Sequence, residues 1–139
     1  MTKKRATATK PAGSRKKLPS EVTSAVAAAL DKKASDIVVL DLRHTPAFTD
    51  FFVLCSGQNH RQVKAIVDAV EEALRTSKVR PAHVEGYDRG EWILMDFFTL
   101  IVHVFAPQKR DFYGLERLWG DAIRIEMADD APAPKSAQL

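Results

Sequence analysis

The sequence is poor in the residues that build the commonest chemical sites. Its one cysteine, Cys55, excludes an internal disulfide framework and a multi-cysteine zinc site. A single cysteine also fits a reducing compartment. Only six glycines are present. None forms a Walker loop, which needs a glycine-rich turn followed by Lys and Ser or Thr. Gly57 stands alone after its strand, so the three spaced glycines of a Rossmann turn are missing too. Apolar runs such as Phe97 to Val102 fall far short of a membrane span. The four histidines, His44, His60, His83 and His103, have no close ligand spacing. Neither a metal nor a cofactor is therefore expected.

What is present is an ordinary globular balance over 139 residues, 45% hydrophobic and 28% charged, enough for one domain. The net charge of +3 is unevenly spread. Residues 1–17 hold seven basic residues and no acid, whereas residues 18–139 hold 14 basic against 18 acidic residues. The body is thus mildly acidic, which argues against a body that grips nucleic acid by charge. Residues 1–17 lack the apolar stretch of a signal peptide and read as a disordered arm. Residues 128–139, with Ala-Pro-Ala-Pro, read as a disordered tail. A compact body over residues 18–127 remains, with a cytoplasmic location expected.

The body alternates between helical and strand periods. Pro19 and Ser20 open a helix whose Val22, Val26, Ala29 and Leu30 share a face. Asp36 to Leu42 and Asp50 to Ser56 are short apolar runs that suggest strands covered on both faces. Asn59 can cap a helix with an apolar stripe of Val63, Ile66, Val67, Val70 and Leu74. Val79 to Val84 holds a short edge strand. Trp92 to Phe97 and Leu100 to Phe105 form a hairpin separated by about two residues. Arg110 to Trp119 reads as one short helix closed by Gly120. The order predicts an α/β fold of α+β-like character, with a mixed sheet of about five strands packed with helices.

The candidate catalytic arrangements are incomplete. Ser56-Gly57 at a strand-to-helix turn matches the start of a nucleotidyl transferase site, but no Asp-x-Asp follows. Asp96 is the only carboxylate on its strand, and one carboxylate cannot organise two metal ions. Cys55 could be drawn as a nucleophile beside His60 or His103, yet it sits in an apolar run where a thiol is inert. The unexplained residues are amphipathic. Alternation sends Trp92, Leu94 and Asp96 to one side of the sheet and Ile93, Met95 and Phe97 to the other. Both sides are largely apolar. One must meet the helices, and the other needs a second helix layer, a second copy or a partner.

The segments Lys33–Arg43, Thr49–Gly57, His60–Val63, Glu85-Gly86, Gly90–Asp96, Val102–Phe105 and Arg110–Asp121, in this order and spacing, closely resemble the ribosomal silencing factor family, also called Iojap-like. The resemblance covers about residues 18–126. It implies a nucleotidyl transferase-like fold without catalytic residues, and a binding activity rather than an enzymatic one. It implies docking on large-subunit ribosomal protein fourteen of the large ribosomal subunit, so that the small subunit cannot join and translation is repressed. It carries the contact surface onto Trp92, Asp96 and Phe97 of the hairpin, with His103, Arg110 and Tyr113 as further contacts. Trp119 is expected to pack internally. The chain departs from the family at Phe98-Thr99, where relatives have a Gly-Asp or Gly-Asn turn. The basic arm lies outside the family core; a weak contact with ribosomal RNA is expected of it. A homodimer of the free protein, paired through the apolar patch, is expected as well. The alternative from another class is a nucleotide-processing enzyme on the same fold.

Overall fold

The computed structural model describes residues 18–127. The arm expected over 1–17 and the tail expected over 128–139 lie outside the described residues. Helix α1 (Ser20–Asp31) follows Pro19, whose carbonyl accepts from Val22 N–H and Thr23 N–H at 3.0 and 3.2 Å. It buries Val22, Ala25, Val26 and Ala29. Strands β1 (Ser35–Asp41) and β2 (Phe51–Ser56) lead into α2 (His60–Arg75). At the start of α2 the Asn59 side chain accepts from Gln62 N–H at 2.8 Å, and Gln62 Oε1 accepts from Gln58 N–H at 2.6 Å. The first bond satisfies a donor that the first turn leaves free, and the second holds the chain as it enters the helix. Gln62 Nε2 also donates to the carbonyls of Lys32 and Lys33, which fastens α2 to the end of α1.

The rest of the chain is β3 (His83–Glu85), β4 (Trp92–Asp96), β5 (Leu100–Phe105), α3 (Lys109–Tyr113), α4 (Leu115–Leu118) and β6 (Ile123–Glu126). The strands form one mixed sheet in the order β3-β4-β5-β2-β1-β6. The β2–β5 pair is parallel and the others are antiparallel. The sheet therefore has six strands where about five were expected. The extra one, β6, pairs with β1 from Val38 opposite Glu126 to Asp41 opposite Ile123. Its four residues bury only Ile125, which is too little apolar patterning to register as a strand in sequence.

A second difference concerns Arg110 to Trp119, which is not one helix. It breaks at Gly114, whose φ is +62°. A Cβ there would stand 2.7 Å from Arg117 Nη2, the movable end of a flexible side chain, so it is the positive φ that favours glycine. The hairpin loop is also longer than two residues. Phe97, Phe98 and Thr99 connect β4 to β5, and Phe98 takes the left-handed conformation at φ +73°.

Helices α1 and α2 cover one face of the sheet, burying Val39, Val53, Cys55, Ile93, Met95, Phe97, Val102 and Val104 against them. The other face carries Val38, Leu40, Leu42, Phe52, Leu54 and Phe105. No second layer of long helices covers it among the described residues. Ala47 from a loop and Leu115, Trp119 and Ala122 from the α4 region lie over part of it.

A candidate partner-binding face

Strand alternation puts Trp92 on the face away from α1 and α2, where it is half-buried. Its indole is fixed on three sides. The indole N–H donates to His103 Nδ1 at 3.1 Å. The ring stacks on Phe105 with centroids 5.4 Å apart at 26°. The Tyr113 ring, from α3, lies 4.5 Å away at 42°. Phe112 meets Tyr113 edge-on at 5.1 Å and is 76% exposed. Leu118 on α4 is 72% exposed. A hairpin and two short helices thus present a half-covered aromatic surface. Solvent exposure of large apolar side chains in one region is the usual mark of an interaction surface.

The expected contact residues fall into four groups, the last being Phe97 alone. Trp92 and Tyr113 come together on this surface. Asp96 shares their side of the sheet, but its Oδ1 accepts from Phe98 N–H at 2.8 Å and so holds the hairpin turn. His103 and Arg110 lie behind the surface. His103 is 3% exposed, and burial pushes its pKa down to about 3, so the ring is neutral. An indole N–H can only donate, so Nδ1 is the acceptor and the imidazole proton sits on Nε2. Arg110 forms a two-pronged pair with Glu116 at 2.9 and 3.0 Å, across the break at Gly114. It also donates to the Asp36 carbonyl at 2.6 Å and to Ser56 Oγ at 3.2 Å. Arg110 is therefore the fastening that ties α3 and α4 to β1 and β2. The Arg110 and Arg124 guanidiniums hold the Glu116 carboxyl below its ordinary range, against the opposing effect of burial.

Phe97 lies apart from the other five. It is 5% exposed and belongs to the helix-side core, so its ring supports the hairpin from the face opposite Trp92. Trp119 packs edge-on against Phe52 at 5.9 Å, as a packing residue should. Phe112 and Leu118 were missed. Helices of five and four residues are too short to show a periodic exposed face in sequence.

The Cys55–His103 pairing does not assemble. Cys55 faces the helices, while His103 is stacked with Phe105 on the other side of the sheet. Desolvation pushes the Cys55 thiol up to about 12, far from a reactive thiolate. Among the described residues no helix is long and apolar enough to cross a membrane.

Comparison with known proteins agrees with this architecture. A family profile described as "Ribosomal silencing factor during starvation" matches residues 15–138. The ribosomal silencing factor RsfS of Bacillus subtilis is 38% identical over 98 residues, covering 70% of this chain and 83% of its own. That of Halalkalibacterium halodurans is 37% identical over 103 residues, covering 74% and 88%. A crystal structure of a Chromobacterium violaceum protein superposes with a TM-score of 0.71 at 35% identity, over 73% of this chain and 84% of that one.

Proposed function

The chain belongs to the ribosomal silencing factor family, and on that premise we propose that it docks on large-subunit ribosomal protein fourteen and blocks joining of the small subunit. The observation that carries the reading is the Trp92–Tyr113 surface. It lies on a sheet face with no layer of long helices among the described residues, where a partner supplies the missing cover. Aromatic side chains held rigid before binding lose little conformational entropy on docking, and such residues dominate interface energetics.

The mechanism is exclusion. A body of about 110 residues has a radius of gyration of about 13 Å, too wide for a tight inter-subunit bridge to close around. No change of shape in the large subunit is required. Occupancy decides the outcome: at a free concentration of ten times Kd, about ten in eleven sites are filled. The free protein pairs as a homodimer through the same patch, so dimerisation and docking compete. The seven cations of residues 1–17 add a weak, salt-sensitive attraction to ribosomal RNA phosphates. The protein acts in the cytoplasm, without nucleotide or metal.

Co-sedimentation tests the docking. The protein should pellet with purified large subunits and not with small subunits, and crosslinks should identify ribosomal protein fourteen. Equal binding to both subunits, or none, overturns the proposal.

A further inference from the structure

His103 is a buried polar residue whose cost the fold alone does not offset. It occupies the centre of an aromatic cluster, with Phe52 edge-on at 4.6 Å and Phe105 nearly parallel at 6.3 Å. Its Nδ1 accepts the Trp92 indole N–H at 3.1 Å. Its Nε2, which must then carry the ring proton, is buried without a hydrogen-bond partner among the described residues. An unpaired buried N–H costs stability, and an apolar side chain of similar size would avoid that cost. The hydrogen bond to Trp92 is the polar interaction that the ring does make. It selects one orientation of an indole that is otherwise only half-buried on the outer face.

We infer that His103 is a positioning residue for partner binding: its Nδ1 locks the Trp92 indole in the orientation that the partner meets, while His103 itself touches no partner. The inference rests on the docking role of the Trp92 surface. Three features support the lock. Burial keeps the imidazole neutral, so Nδ1 stays an acceptor across physiological pH. Phe52 and Phe105 prevent the imidazole from turning away. His103 stands opposite Leu94, the neighbour of Trp92 by two residues on the same strand face, so the bond runs diagonally across one antiparallel pair.

The lock and the docking can be tested apart. In the free protein, the Trp92 indole N–H resonance, assigned by its loss in Trp92→Phe, should exchange with solvent slowly. His103→Asn, whose Oδ1 can replace Nδ1 as acceptor, should keep that protection. His103→Leu should lose it, with an unchanged amide fingerprint and a melting temperature no lower than that of the parent. With purified large subunits, His103→Leu should bind about fivefold more weakly, and His103→Asn should recover most of the loss. In a Trp92→Phe background, His103→Leu should cost little more. Fast exchange of the indole N–H in the parent protein overturns the lock, even if His103→Leu fails to fold. Parental binding by a folded His103→Leu that has lost indole protection overturns the positioning role. If Trp92→Ala itself binds like the parent, the docking surface is wrong, whatever the exchange data show about the hydrogen bond.

Discussion

The Trp92 and Tyr113 rings lie 4.5 Å apart, although one belongs to a hairpin strand and the other to a five-residue helix. Neither element could hold its aromatic residue alone. Strand β4 is fixed by its ladder to β5, and α3 by the Arg110 hydrogen bonds to the Asp36 carbonyl and Ser56 Oγ. The aromatic surface is thus a product of tertiary structure, and if it is the proposed docking face, damage to either support should damage binding.

Trp92→Ala should weaken binding to large subunits by about 2 kcal/mol or more, the scale of an aromatic hot spot. Circular dichroism should show the fold intact. A folded variant that co-sediments like the parent would remove Trp92 from the contact.

Arg110→Ala should act through structure. It removes the two-pronged pair with Glu116 and the bonds to β1 and β2. Glu116 keeps Arg124, so the loss is moderated. A cost of about 1–3 kcal/mol in urea unfolding is expected, with faster amide exchange over residues 109–118. Unchanged stability together with weakened docking would mean that Arg110 reaches the partner directly.

Acid should destabilise the fold through His103. Its ring is neutral in the native state, with a pKa of about 3, but titrates near 6.5 when unfolded. Between those values the unfolded chain binds more protons, so stability falls as pH falls below about 6.5 and goes on falling towards 3. The contribution amounts to about 2 kcal/mol less stability at pH 5 than at pH 7. Parallel urea titrations of the parent and His103→Leu at both pH values isolate it. An equal pH dependence in the two proteins contradicts it.

Phe98→Gly should relieve the turn. A phenylalanine at φ +73° costs about 1 kcal/mol in backbone strain, partly offset by the entropy that glycine loses on folding. Stability equal to the parent or up to about 1 kcal/mol higher is expected in thermal unfolding. A clear loss would show that the Phe98 ring, 72% exposed, supports the fold in some other way.

Periodic features were legible in the sequence. The apolar stripe of α2, its Asn59 cap and the opposed faces of β4 all follow from side-chain spacing. The same alternation turns Phe97 inward. Family resemblance assigned it to the contact, but one residue beyond Asp96 it points to the other side of the sheet. Arg110 and His103 were harder to read. Arg110 meets Asp36 and Ser56, 74 and 54 residues away, and nothing local signals that its guanidinium or the His103 imidazole turns inward. Strand β6 and the break at Gly114 were lost because four- and five-residue elements carry too few positions for a period.

The most direct test of silencing is an order-of-addition experiment on sucrose gradients. The protein is mixed with purified large subunits before small subunits are added, or else added to ribosomes already joined. Exclusion at a shared surface predicts fewer joined ribosomes in the first order and a smaller effect in the second, because the joined state covers the site. The effect should saturate with protein, reverse with excess small subunits, need no nucleotide, and fall in Trp92→Ala in proportion to its lost affinity. Normal joining while the protein remains bound to the large subunit would contradict the account.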